Sequence, residues 1–221
     1  TYCQGKSIIN SINLEDGEER FDHVVPLAKS YGAALVVGTI DEDPENGMAV
    51  TRQRKLEIAE RSYKILTEKW GILPEDIYFD ALVFPCATGD EKYIGSAAET
   101  IEGLRLIKQK FPRCRTAIGV SNVSFGLPAA GREVLNSVFL HHCVQAGLDL
   151  AIVNSEKLER YAGLSAEEIE LADDLIFNRR PDAVARFTEN FRVQKAKVQV
   201  DRKTILFDSR LSQAIAYGFK K

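Results

Sequence analysis

No stretch of the 221 residues stays apolar for the length that a bilayer span requires, and the N-terminus lacks the pattern of a signal peptide. No membrane partner is therefore expected. Basic runs are missing too. Arg113-Cys114-Arg115 is too short, no aromatics interleave with it, and the net charge of −3 speaks against a nucleic-acid surface. Cysteine is sparse: Cys3, Cys86, Cys114 and Cys143 form no C-x-x-C pair. A disulfide framework or zinc ribbon is thereby disfavoured, and a reducing, cytoplasmic setting fits. Cys86, in Pro85-Cys86-Ala87-Thr88-Gly89, is the cysteine expected nearest a ligand. The Gly-x-Gly-x-x-Gly fingerprint, the P-loop and the Gly-x-Ser-x-Gly nucleophile elbow are all absent. Asp41-Glu-Asp-Pro-Glu-Asn-Gly47 only superficially looks like a calcium loop, since its Gly comes one place late and Arg52 stands where the bidentate Glu belongs. His141-His142-Cys143 lies within an apolar helical pattern, where adjacent positions point apart, so no metal site is expected.

What the chain does have is a repeated alternation. Five apolar, β-branched runs predict strands at about Ser7–Ile12, Ala34–Ile40, Ile77–Phe84, Thr116–Ser121 and Leu148–Val153. Helical patterns separate them over Gly17–Tyr31, Ala49–Trp70, Ser96–Phe111 and Glu133–Ala146. Leu56, Ala59, Tyr63, Ile65 and Leu66 form an apolar stripe on the second helix, with Arg52, Arg54, Lys55, Glu57 and Glu60 expected on its solvent face. Gly32, Gly71 and Gly147 stand where C-terminal helix caps are wanted. Beyond Val153 the chain reads as helix: Ser165-Ala-Glu-Glu168 is a capping box opening Ala166–Phe177, and Arg180-Pro181 begins another helix through about Arg192. Val193–Lys203 reads as a polar linker and Ile205–Phe219 as one more amphipathic helix.

Strand starts about 30 to 40 residues apart are the repeat of a βα unit. An open doubly wound sheet would account for them, but polar groups at several strand ends suit a barrel better, because a barrel points all those ends at one mouth. A closed (β/α)₈ TIM barrel has eight strands over roughly 250 residues. The expected fold class is therefore α/β, a partial TIM barrel formed by the last five strands. Thr1-Tyr2-Cys3-Gln4-Gly5-Lys6 has no initiator Met and leads almost directly into a strand, as an excised fragment would begin.

The polar strand ends are the candidate site. In Thr116-Ala-Ile-Gly-Val-Ser-Asn-Val-Ser-Phe-Gly-Leu-Pro128 an apolar run stops at Ser121-Asn122, and an amide there can donate and accept at once. Asn10 ends the first strand in an equivalent position; both amides could instead be turn-forming Asx residues. Asp80 is either a bidentate acceptor for a guanidine-like ring edge or a strand-end acid that accepts backbone N–H groups. Arg132 is either a contact for an anionic tail or an exposed helix charge, and Asp41 is a further residue at the expected mouth.

Four segments together resemble one family: Ser7-Ile-Ile-Asn-Ser-Ile12, Asp80-Ala-Leu-Val-Phe-Pro-Cys-Ala-Thr-Gly89, Gly119-Val-Ser-Asn-Val-Ser-Phe-Gly-Leu-Pro128 and Asn136-Ser-Val-Phe-Leu140. They are similar to the folate-binding barrel of cobalamin-dependent methionine synthases. Asn178-Arg-Arg180 and Arg210-Leu-Ser-Gln-Ala-Ile-Ala-Tyr-Gly218 resemble the linker and first cap helix of the cobalamin module of that family. The resemblance implies residues 1–155 as the C-terminal part of a pterin-binding barrel, 156–194 as a helical linker and 195–221 as the start of a helical cap. It implies 5-methyltetrahydrofolate as substrate, with its N5-methyl group presented to cob(I)alamin on a neighbouring module, in methionine synthesis from homocysteine. Asn10, Asp80 and Asn122 fall on pterin-contacting positions, with Asp80 at the 2-amino/N3 edge and Asn122 near N5. Ala81 stands where the family pattern has Pro. No Asp-x-His-x-x-Gly cobalt-ligand motif is present, and zinc belongs only to a module that this chain lacks. A dihydropteroate synthase-like barrel is the alternative, although Asp-Pro-Gly-x-Gly-Phe-x-Lys and a terminal Arg-x-His are missing. Without its first three strands the chain is expected to be inactive alone.

Overall fold

The computed structural model describes residues 4–192. The linker expected over Val193–Lys203, the helix over Ile205–Phe219, the segment from Arg210 and Cys3 lie outside the described residues. Five strands alternate with helices: β1 (Ile8–Leu14), α1 (Glu19–Tyr31), β2 (Ala34–Asp41), α2 (Arg52–Lys64), β3 (Ile77–Asp80), α3 (Ser96–Lys110), β4 (Arg115–Gly119), α4 (Ala129–Gln145) and β5 (Leu150–Ile152). Then follow α5 (Ala166–Ile176) and a helical stretch at 183–192. All pairings are parallel and the strand order is β1-β2-β3-β4-β5. A doubly wound sheet reverses its order at a switch point; an unbroken sequential order is that of a barrel wall. Among the described residues β1 and β5 each pair on one side only, and Ile8 and Ile152 on them are 40% and 50% exposed.

The sheet has two chemically different faces because side chains alternate along a strand. Leu35, Val37, Ile77, Phe79, Ala81, Ile118 and Val120 join the helices in one apolar core. Their alternates Val36, Gly38, Tyr78, Asp80, Ala117 and Gly119 stand outside that cluster, on the concave side of the wall.

Most element ends obey local chemistry. Gly32 adopts the left-handed conformation after α1 (φ 63) and its N–H caps the carbonyls of Ala28 and Lys29. Thr51 caps α2 by accepting from the Arg54 N–H, and Ser165 with Glu168 forms the anticipated capping box on α5. Of the boundaries that differ from the sequence expectation, two have a clear packing cause. α4 begins at Ala129, a turn before the expected start at Glu133, so Ala129-Ala130-Gly131 is helix rather than loop. Gly131 stays helical because it is packed: a Cβ there would lie 2.8 Å from Phe187 and 3.2 Å from Phe191. β3 ends at Asp80 instead of continuing to Phe84, because Leu82 has a positive φ of 53° that no ladder can continue.

The cause of that early ending is Lys55. The charge pattern assigned it to solvent, yet it is 0% exposed, on the buried face of α2 with Ile58 and Ala59. Its ammonium donates to Ala49 O at 2.8 Å, Ala81 O at 2.5 Å and Leu82 O at 3.3 Å, and lies 5.2 Å from the centre of the Phe84 ring. Thr100 donates to the same Leu82 carbonyl at 2.8 Å. The lysine stem crosses α3 at Gly103, where a Cβ would stand 2.7 Å from Lys55 Cδ. Carbonyls that a strand would spend on its neighbour are turned towards a buried cation.

The C-terminal helices are packed on this wall. Leu171, Leu175, Ile176, Phe187 and Phe191 belong to the same buried cluster as the strands. His142 Nε2 lies 2.8 Å from Asp173 across the α4–α5 contact, and His141 stacks on Tyr161 with centroids 3.8 Å apart.

Phe187→Ala should lower unfolding stability by about 3–5 kcal/mol in urea titrations, given that Phe187 is 0% exposed. A loss under about 1 kcal/mol would show that the 183–192 helix is not part of the core. A second expectation concerns pH. Burial pulls the Lys55 pKa from its ordinary value of 10.5 down to about 7, against the pull of Asp80 and Glu99. The unfolded chain then binds the extra proton between those values, so stability rises with pH from about 7 towards 10.5. Thermal unfolding of Lys55→Met should lack this rise; equal pH slopes in both proteins would refute it.

Candidate functional site

Asp80 organises the concave face. It is the last residue of β3, paired in register with Gly38 on β2 and Ala117 on β4. Both in-register neighbours are small, so neither side chain stands over its carboxylate. Leu82 N–H donates to Asp80 Oδ1 at 2.9 Å, and among the described residues no donor reaches Oδ2. Burial pushes this carboxyl above the usual range, while the Leu82 N–H and the Lys55 charge pull it back. One oxygen is held and the other could accept from a donor.

Asn122 lies in the 3₁₀ turn Val120–Ser124 directly after β4. Its amide folds back over the strand end, with Nδ2 3.3 Å from where a Cβ on Gly119 would sit. Glycine at 119 is a matter of close approach: any larger residue would crowd the amide. Asn10 does not end its strand as expected: β1 runs on to Leu14, because Ile12 and Leu14 continue the buried alternation beyond it, and Asn10 stands exposed within the strand. It pairs with Val36, which pairs with Tyr78, two residues before Asp80. Asn10 is therefore two strand spacings from β3, about 10 Å, and one side-chain level below Asp80. That span suits a fused bicyclic heterocycle lying along the wall.

The other candidates brace the loops. Arg132 donates from Nε to Ser124 Oγ at 3.1 Å and from Nη2 to Ser121 O at 3.2 Å, so it supports the loop that carries Asn122. Arg132 and Ser121 also line a cleft of about 250 Å³ with Ala129, Glu133, Asn136 and Asn154. Asp41 is 7% exposed and accepts from Arg54 Nη2 on both oxygens, at 2.8 and 2.6 Å. Its carboxylate is thus already engaged. Gly47 closes that loop so tightly that a Cβ would stand 2.5 Å from Asp41 O. Cys86 ties two loops together, its N–H and thiol both directed at Val123 O (3.2 and 3.3 Å). Burial pushes the thiols of Cys86 and Cys114 up to about 12, and that of Cys143 up as well, so none is primed as a nucleophile. Among the described residues no three His, Cys, Asp or Glu side chains are grouped to hold a metal.

Sequence reasoning missed three polar groups here. Lys55 was hidden in a charged run. Asn136 is 8% exposed with an unpartnered Oδ1, and its i+4 relation to Arg132, which puts both on one helix face, could have identified it. Asn154 follows β5 as Asn122 follows β4, but its Oδ1 accepts from Glu156 N–H at 3.1 Å in an Asx turn.

Comparison with known proteins agrees with this fold. The family described as "Pterin binding enzyme" matches residues 2–154. Methionine synthase of Mycobacterium tuberculosis is 41% identical across 98% of this chain, and methionine synthase of Mycobacterium leprae is 43% identical across 81% of it. The chain spans 19% and 15% of the lengths of these two relatives. With a match over most of its length and a wall of five parallel strands in sequential order, the chain belongs to the family of pterin-binding enzymes.

Proposed function

We propose that the chain is the C-terminal part of a folate-binding barrel that holds 5-methyltetrahydrofolate and presents its N5-methyl group for transfer to cob(I)alamin, as one component of methionine synthesis. The observation that carries this reading is Asp80: a desolvated carboxylate with one oxygen fixed by a backbone N–H, flanked by Gly38 and Ala117. A pterin ring offers an N–H beside an exocyclic amine, and such an edge needs a planar acceptor. The raised proton affinity of Asp80 strengthens its hydrogen bond to a weakly acidic N–H. Strands from outside the described residues would complete the wall beyond β1 and β5. Residues 156–194 would then link to a cap beginning at about 195.

In this reading Asn122 works at N5. A methyl group on a tertiary amine leaves poorly unless N5 gains a proton or a strong hydrogen bond. The amide donates to neutral N5 through Nδ2 and, after rotation, accepts from protonated N5 through Oδ1, so both protonation states are held in place. Gly119 leaves the amide the room that this needs. Asn10 binds the far side of the heterocycle. Arg132 and Ser121 position the Asn122 loop, and the cleft beside them leads the tail of the folate out of the barrel. Asp41, engaged with Arg54, contributes to the rim instead of to the ring. Cobalamin, carried by a neighbouring module, supplies the nucleophile that takes the methyl group; zinc belongs to another module. Among the described residues no helix is long and apolar enough to cross a membrane, and the proposed setting is the cytoplasm.

Calorimetry of the whole polypeptide that contains this chain tests the reading. Asp80→Asn should weaken 5-methyltetrahydrofolate binding about 10- to 100-fold. Asn122→Ala should slow methyl transfer to cobalamin by about 100-fold while changing Kd far less. Absence of folate binding, or condensation of a pterin with p-aminobenzoate in its place, would sink the proposal.

A further inference from the structure

We infer that Lys55 is a positioning residue for Asp80: from beneath the β3–α3 loop its ammonium fixes the backbone at Ala81 and Leu82, so that the Leu82 N–H points at the carboxylate that meets the pterin. This rests on the pterin reading above and adds a residue that never touches the ligand.

The geometry points to this role in three steps. A lysine that is 0% exposed is an expensive core residue, and an apolar side chain of the same length would fill the space between α2 and α3. What an apolar side chain could not do is gather carbonyls. Lys55 Nζ collects Ala49 O from the loop after β2 and both Ala81 O and Leu82 O from the loop after β3. The loop is held from a second side by Thr100, which donates to Leu82 O. With its carbonyl drawn inward, Leu82 takes the left-handed backbone (φ 53), and its N–H reaches Asp80 Oδ1 at 2.9 Å. The space is built for the lysine. Gly103 on α3 removes the one Cβ that would strike its stem, at 2.7 Å, and the Phe84 ring covers its head. The loops after β2 and β3 are thereby anchored to one point, and the carboxylate inherits that anchoring. A ligand-binding acid held by such a layer keeps its orientation before the ligand arrives.

A double-mutant cycle separates this from a merely structural role. In the whole polypeptide containing this chain, Kd for 5-methyltetrahydrofolate is measured by calorimetry for the wild type, Lys55→Met, Asp80→Asn and the double variant. Lys55→Met should weaken binding by roughly tenfold, and its further effect in the Asp80→Asn background should fall below about twofold. Thr100→Val, a milder change to the same loop, should weaken binding by about threefold and repeats the cycle if Lys55→Met does not fold. Lys55→Met or Thr100→Val binding as tightly as the wild type would overturn the inference. So would the same fold-loss with and without the Asp80 carboxylate, since Lys55 would then act on the fold at large. A wild type that binds no folate defeats the pterin reading and this one together; binding with an additive cycle defeats this one alone.

Discussion

A single ammonium group buried between α2 and the β3–α3 loop decides where β3 stops. Lys55 takes the carbonyls of Ala81 and Leu82 away from the sheet, and the strand therefore ends at Asp80 with that residue at the rim of the wall. Asp80 owes its partner N–H to the same distortion. Gly103 and Thr100 on α3 acquire a purpose from it: one makes room for the lysine stem and the other shares its acceptor. Sheet, helix pair and site meet at this point, and the apolar core around Ile58, Phe79 and Leu104 surrounds it.

The same solution recurs along the mouth. Arg54 on α2 neutralises Asp41 at the end of β2, and Arg132 on α4 braces the carbonyl of Ser121 after β4. Each of these loops is thus supported by a cation from the helix that follows it or from the one before. Cys86 stitches the β3 loop to the β4 loop through Val123. Backbone held in this way keeps Asp80 and Asn122 in fixed relation without using either side chain as a strut, which leaves their free atoms available to a ligand.

The alternation of strands and helices was legible in the sequence because buried parallel strands are continuous Val, Ile and Leu runs, and because Gly32 and Ser165-Glu168 are local signals with local causes. Asp80 and Asn122 were legible as candidates because a polar residue ending an apolar run is visible without a structure; Asn10 stood out in the same way but lies within β1, since the strand continues through the alternating Ile12 and Leu14. Three things were not. The apolar letters Ala81-Leu82-Val83-Phe84 read as more strand, and the lysine that bends them lies on a different helix. Lys55 itself sits between charged neighbours, where periodicity gives no hint of a buried ammonium. Gly131 lowers helix propensity and reads as loop; the two phenylalanines that hold it helical stand more than fifty residues later. Each failure involves a partner distant in sequence, which is where local pattern carries no information.

Gly131 has one more consequence. It leaves no slack between the first turn of α4 and the rings of Phe187 and Phe191. The next residue is Arg132, whose guanidinium holds the loop of Asn122. The 183–192 helix and the loop that carries Asn122 therefore rest on one bearing. A tilt of the outgoing helix by the width of a methyl group would be transmitted through α4 to the mouth, and a change at the mouth would travel the same way out. The barrel wall ends, in mechanical terms, at the 183–192 helix.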